Sequence, residues 1–479
     1  MQTGKVMPCF EHNRIKGRHM SVITPELLTR FDVPGPRYTS YPTADRFVEA
    51  FGEADHVQAL RQRQSGTVGK KSPMSLYVHI PFCESLCYYC ACNKIITKHK
   101  ERSAPYLRYL SKEVELYTQH LGRGHAVSQL HLGGGTPTFL SDDELRQLMA
   151  MLRQHFDFVP GGEYSVEVDP RTVDEKRLVV LAELGFNRLS FGVQDFDPAV
   201  QKAVNRIQPA EQVFQLVEAA RRLGFESVNV DLIYGLPLQT PESFDRTLAQ
   251  VNSLRPDRIA LYAYAHLPER FKPQRRIDAQ ELPSGAAKVA MLSRSLDALT
   301  DAGYVYIGMD HFALPDDALA VAKRQGRLHR NFQGYSTQAD CDLIALGVSS
   351  IGRIGATYSQ NAKTMEEYGD LLDQGHLPVV RGLALTRDDL IRRSVIMALM
   401  CQGHLQYEAI NMAWLIDFKT LFAKELTQLE DMQAQGLVSL KDTGIEVTAT
   451  GWFFVRGVAM VFDRYVQANL DRSRFSKII

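Results

Sequence analysis

Short runs rich in β-branched and aromatic residues alternate with amphipathic stretches between Ser75 and His266. The runs fall at 76–80, 129–132, 164–168, 188–193, 227–233 and 258–264. Between them, segments such as 142–153 and 210–223 place apolar residues at helical spacing. The pattern predicts six strand–helix units in series. Two helical segments end in Leu-Gly-Phe, centred on Gly185 and Gly224. Each glycine reads as the cap where the chain leaves a helix for the next strand. Such units imply parallel strands with right-handed crossovers, in an incomplete (β/α)6 barrel or an open doubly wound sheet.

Polar residues gather where the runs end. A cysteine loop follows the first run, and Gly133-Gly134-Gly135-Thr136-Pro137 follows the second. Glu167 and Asp169 end the third, Gln194 and Asp195 the fourth, Asp231 lies near the end of the fifth, and His266 follows the sixth. Parallel α/β folds carry their reactive groups at this rim.

Beyond about residue 270 the pattern is mixed. Residues 309–312 and 328–335 read as polar-aromatic loops. The last hundred residues are mostly helical, with a hairpin suggested at 436–440 and 444–447, as in a winged-helix unit. Acidic residues are interspersed with the basic ones there, so the unit reads as a cap on the active site and not as a nucleic-acid reader. The organisation expected is a non-native or disordered leader over 1–19, an N-terminal segment over 20–74 closing the active site, a central domain over 75–380 and a C-terminal domain over 381–479.

Charge changes little. Lys+Arg and Asp+Glu both number 55, so no global field favours nucleic acid or an anionic membrane. No run of 18 apolar residues and no signal-peptide core is found, so no membrane partner is expected. The 7 cysteines in 479 residues are too sparse, and odd in number, for a disulfide framework. Clustered reduced thiols suit the cytoplasm.

Four of those cysteines fall within ten residues: Cys83, Cys87, Cys90 and Cys92. The first three have the spacing C-x3-C-x2-C. Three thiolates on a four-iron cubane leave one iron open to a small molecule, which a four-cysteine electron carrier lacks. Structural zinc is the rival, because His79 and His99 flank the run. Reactive thiols are a further alternative. Cys9, Cys341 and Cys401 are isolated.

The triple glycine lets backbone approach a ligand closely and offers N–H donors for the carboxylate or amine of an amino-acid-like ligand. It also reads as a simple tight turn. Glu167 and Asp231 suit ribose hydroxyls or an ammonium group, and read equally as strand-end caps. Arg206 can fork onto a carboxylate if it faces the rim.

With these residues the chain resembles the radical S-adenosylmethionine (SAM) enzymes. The segments 37–43, 77–83, 192–196, 231–237, 264–268, 308–313 and 329–335 narrow the likeness to the oxygen-independent coproporphyrinogen III oxidases, from about Thr29 to the C-terminal helices. The resemblance implies an incomplete (β/α)6 TIM-like radical SAM barrel, with an N-terminal substrate segment and a mostly helical C-terminal domain. It implies a [4Fe-4S] cluster on Cys83, Cys87 and Cys90, completed by SAM, and a second SAM in the same cavity. Tyr77, Gly134, Glu167 and Ile351 would contact the first SAM. Tyr89, Gly135, Thr136, Gln194, Arg206, Asp231 and Ala265 would contact the second. Tyr89 departs from the phenylalanine common there, and its hydroxyl needs a partner. Cys92 is the family's fourth cysteine, required for activity without ligating the cluster. Tyr38 and Gln333 complete the catalytic set.

The implied reaction belongs to haem biosynthesis. SAM-derived 5′-deoxyadenosyl radicals take hydrogen from two propionate side chains of coproporphyrinogen III. Loss of CO2 and an electron from each leaves vinyl groups, giving protoporphyrinogen IX. The family implies a monomer, a flavodoxin- or ferredoxin-like electron donor and an electron acceptor. A substrate with four carboxylates on an apolar macrocycle needs a large pocket with cations at its edge and aromatic walls. Arg37, Tyr38 and Tyr41 are candidates, as are Arg270, Lys272, Arg275 and Arg276. A haem chaperone or haem-modifying radical SAM methyltransferase is the alternative reading.

Overall fold

Aliphatic residues alternate with small or polar ones along six parallel strands, and the alternation decides which face each residue meets. These are β1 (Met74–Ile80), β2 (His125–Gly134), β3 (Phe156–Val168), β4 (Arg188–Gln194), β5 (Ser227–Tyr234) and β6 (Arg258–Ala263). The computed structural model describes residues 27, 30–31, 33–66, 72–338 and 341–468; the leader expected over 1–19 lies outside them. In β4, Leu189, Phe191 and Val193 are buried beneath the outer helices. Their neighbours Ser190, Gly192 and Gln194 line a central cavity.

Helices follow the strands. Asp142–His155 opens with a capping box in which the Ser141 hydroxyl accepts from Glu144 N–H and Glu144 accepts from Ser141 N–H. Ala210–Arg222 and Glu175–Glu183 are followed by Gly224 and Gly185 at φ +80° and +87°, a left-handed backbone that suits glycine.

The sheet is larger than the six strands. A hairpin of β7 (Val305–Gly308) and β8 (His311–Ala313) pairs antiparallel with β6. On the other side β9 (Leu343–Leu346) lies parallel to β1. It continues antiparallel into β10 (Ile351–Ile354), β11 (Thr357–Asn361) and β12 (Val379–Ala384). The twelve strands run β12-β11-β10-β9-β1-β2-β3-β4-β5-β6-β8-β7, and among the described residues the two edges do not pair. The barrel is therefore open. Side chains from β2 to β6 and β8 line one cavity, so the sheet curves around it.

The loops expected at 309–312 and 328–335 are hairpins instead. Met309 and Asp310, at φ +45° and +69°, make the turn between β7 and β8. His329–Asn331 pairs with Gly334–Ser336. A second core joins the helix Arg387–Gln402 to a three-stranded sheet of His404–Gln406, Val438–Lys441 and Gly444–Val447. Tyr38 and Tyr41 of the N-terminal segment belong to this core. No helix among the described residues is long and apolar enough to cross a membrane.

Candidate active site

The cysteine loop leaves β1 through a short strand, Phe82–Cys83, that pairs with Ile95–Ile96. A cavity of about 270 Å³ opens beside it, lined by Cys83, Cys87, Cys90 and Cys92. Tyr89, Gly134, Gly135, Thr136, Glu167, Gln194, Arg206 and Asp231 line the same space. The rim residues of strands β2 to β5 thus meet the thiols, as strand-end placement predicts.

Donors surround the sulfur atoms. Thr136 Oγ1 donates to Cys83 Sγ at 3.4 Å. Arg206 Nη1 and Arg171 Nη2 donate to Cys87 Sγ at 3.4 and 3.5 Å. Asp169 pairs with both arginines and fixes them there. Burial pushes the Tyr89 hydroxyl well above its usual range, with Arg206 opposing and the neighbouring Cys87 adding to the rise. Burial pushes the Cys83 thiol up to about 11, whereas a hydrogen bond with Cys92 draws Cys90 down to about 6. Three thiols on one loop, ringed by cationic and hydroxyl donors, fit an anionic iron–sulfur cluster.

The same residues do not fit the zinc alternative. His79 bonds to Tyr77 Oη and Asn93 O, and His99 is exposed and paired with Glu101.

The glycines act differently from expectation. Gly134 N–H donates to Glu167, Gly135 N–H to Ile80 O and Thr136 N–H to Phe82 O, so these donors are engaged within the chain. Close approach remains their role. A Cβ on Gly134, at φ +114°, would sit 2.5 Å from the His79 ring, and one on Gly135 would sit 2.7 Å from the Pro81 carbonyl.

A second cavity of about 400 Å³ shares Glu167 and Tyr262 with the first. Tyr77, His79, His131, Gln333 and Ile351 line it, with Arg37 and Arg330 as its cations. Burial opposes the Glu167 charge, but His131 Nε2 at 3.2 Å and Gly134 N–H hold its carboxyl below the ordinary range. Asp231 is raised to about 6, by burial first and by the Glu167 charge next. Burial likewise opposes the Arg206 charge, yet Tyr89, Asp169 and Cys87 keep its pKa above the usual value. Gln333 donates to Leu76 O, while its Oε1 is buried without a partner.

Some expected residues stand elsewhere. Tyr38 is fully buried and donates to Asp463 at 3.0 Å; it lines none of these cavities, so a direct role in the chemistry does not follow from its position. Tyr41 is buried with it. Ala265 also lines none of them; its carbonyl accepts from Gln274 Nε2, which donates to Tyr89 O as well and ties β6 to the cysteine loop. Arg275 donates to Pro268 O, and Arg276 lies over the Tyr88 ring. With Arg270 and Lys272 they stay outside the cavity linings. Arg330 and His311 lie within the segments 329–335 and 308–313 that carry the resemblance, and His131 within the second run, but none of the three stands among the expected site residues.

Comparison with known proteins agrees with this geometry. Residues 77–251 match the Radical SAM superfamily and residues 385–454 match the HemN C-terminal domain. The chain is 53% identical over 457 residues to the oxygen-independent coproporphyrinogen III oxidase of Pseudomonas aeruginosa, covering 95% of this chain and 98% of that one. It is 48% identical over 453 residues to the enzyme of that name from Escherichia coli, covering 95% and 98%. The solved structure of the Escherichia coli coproporphyrinogen III oxidase HemN, described as a radical SAM enzyme, superposes with a TM-score of 0.86 at 49% identity, covering 90% of this chain and 97% of that one. The chain belongs to the oxygen-independent coproporphyrinogen III oxidases of the radical SAM superfamily.

Proposed function

We propose that the chain converts two propionate side chains of coproporphyrinogen III to vinyl groups, giving protoporphyrinogen IX in anaerobic haem biosynthesis. One observation carries the reading. Glu167 and Tyr262 line both the thiol-lined and the arginine-lined cavity, so the two sites adjoin.

When bound, the cluster and SAM supply abstraction of a hydrogen atom from an unactivated carbon. Cys83, Cys87 and Cys90 would hold the cluster, and Glu167, Arg206 and Asp231 would orient SAM. The reading includes two SAM molecules. The first would lie against Tyr77, Gly134, Glu167 and Ile351. The second would lie against Tyr89, Gly135, Thr136, Gln194, Arg206, Asp231 and the Ala265 backbone. Each propionate loses one hydrogen atom from its β-carbon, then CO2 and one electron. The last electron passes to an acceptor, and a flavodoxin- or ferredoxin-like donor supplies the first. Gln333, with a buried oxygen free to accept, and Cys92 complete the catalytic set. The reading includes a monomer in the cytoplasm.

Anaerobically reconstituted and reduced protein, given SAM and coproporphyrinogen III, should release CO2 and a divinyl porphyrinogen. Haem binding without SAM cleavage would replace this reading with the chaperone.

A further inference from the structure

Arg330 carries a charge that its surroundings leave unbalanced. The residue is 6% exposed. Its Nε donates to Arg37 O at 3.2 Å, and its guanidinium lies 4.6 Å from the Tyr335 ring centre. Nη1 is buried with no hydrogen-bond partner, and among the described residues no carboxylate forms an ion pair with it. A buried guanidinium without a counter-charge is costly, and its planar donors match a carboxylate.

The neighbours increase the imbalance. Arg37, over the Tyr262 ring, is paired with Asp310 at 3.4 Å. Arg456 donates to the Gly35 and Pro36 carbonyls. Burial, and next Arg37, bring Arg456 down to about 9. Burial, and next Arg330, bring His311 down to about 3, so that ring is neutral and adds no charge. Arg37 and Arg330 thus both lie within electrostatic reach of the Arg456 guanidinium. Glu167, the acidic residue lining the same cavity, is already held by His131 and Gly134 N–H.

We propose that Arg330, with Arg37 beside it, anchors a propionate carboxylate that the reaction retains. The inference rests on the function proposed above and assigns the pocket's orientation. A carboxylate that departs as CO2 loses its negative charge on the way. A guanidinium against it would stabilise the starting anion more than the transition state and slow the step. The same contact on a retained carboxylate holds the macrocycle without opposing the chemistry.

The test uses reconstituted, unreduced enzyme and two oxidised porphyrins, followed by fluorescence quenching. Coproporphyrin III carries four propionates; mesoporphyrin IX carries only the two that the reaction keeps. Arg330→Gln should weaken binding of both by tenfold or more, with Arg330→Lys in between. The KM for coproporphyrinogen III should rise alike, with kcat within about threefold. Unchanged affinity for both porphyrins overturns the proposal, and so does a loss confined to coproporphyrin III, which would put Arg330 on a propionate that is removed. Should the variants fail to fold, wild-type enzyme should bind mesoporphyrin IX dimethyl ester at least tenfold more weakly than the free acid; equal binding overturns the proposal. Wild-type enzyme that cleaves SAM but binds neither porphyrin would instead refute the function on which the proposal stands.

Discussion

Glu113 sits in the helix Ser103–Leu121, fully buried, with three donors on its carboxylate. Tyr368 Oη and Asn361 Nδ2 donate at 2.6 Å, and Gly347 N–H donates at 2.7 Å. Burial raises its pKa from 4.5 to about 7, with the three hydrogen bonds pulling the other way. The folded chain therefore binds this proton more tightly than the unfolded chain. The group's stabilising contribution is complete below about pH 4.5 and is lost as pH rises through 7. At about 1.4 kcal/mol per pH decade the loss is about 3 kcal/mol. Glu113→Gln removes the titration. It also sets an amide donor against one of the three existing donors, a cost of roughly 1–3 kcal/mol at every pH. The slope is thus the diagnostic. Between pH 5 and 8, urea unfolding should show the variant gaining on wild type by about 2–3 kcal/mol. A difference that is flat with pH, or that falls, refutes the argument.

The same carboxylate reaches the active site through its partners. Asn361 Nδ2 also donates to Gly347 O and Ser350 Oγ, which pins the turn leading into Ile351. Ser349, Ser350 and Ile351 line the arginine cavity. Glu113→Ala leaves Tyr368 Oη and Gly347 N–H buried without their acceptor, so a loss of roughly 2 kcal/mol or more is expected, together with weaker SAM binding by equilibrium dialysis.

Three further outcomes follow. Alanine at Cys83, Cys87 or Cys90 should abolish most iron and sulfide uptake on anaerobic reconstitution while Cys92→Ser keeps it; full loading of any of the three would remove it from the ligand set. Gly135→Ala places a methyl against backbone atoms of Pro81 and Phe82, so the cysteine loop must shift. It should lose about 1–3 kcal/mol and bind SAM more weakly, and unchanged SAM affinity would contradict the close approach. Tyr38→Phe deletes the bond to Asp463 and should cost about 1–2 kcal/mol by thermal unfolding, with kcat within twofold of wild type; a hundredfold fall in kcat would return Tyr38 to the chemistry.

Strand alternation made the catalytic rim legible. Each of β3 to β5 exposes a polar residue near its end, and Glu167, Gln194 and Asp231 meet Gly134 of β2 in one cavity, as parallel strands require. The third run, 164–168, marks only the end of Phe156–Val168, since Pro160-Gly161-Gly162 interrupts the β pattern before it. Gly161 does take φ +74°, and the pairing with β2 shifts register between Val127 and Gln129, so the strand continues through an irregularity. The strands β9 to β12 span only four to six residues each, too few for periodicity to declare. What fixes β9 is its pairing with β1, Ser75 opposite Leu343, across most of the domain.

Side-chain direction was the harder quantity. Motif likeness located the segment around Tyr38 but not the face on which its phenol lies. Arg37 and Thr39 both line the arginine cavity. Tyr38 has φ +46° and turns its ring into the second core, where its partner Asp463 lies 425 positions along the chain. Arg330 is the converse case. It reads as an ordinary charge on a polar loop, and only the hairpin that packs it on Tyr335, with Arg37 brought alongside from 293 positions away, makes its charge a buried one in need of an anion. Chemistry built within one loop or at successive strand ends can be read from spacing, whereas chemistry built by burying a charge is settled by the contacts that bury it.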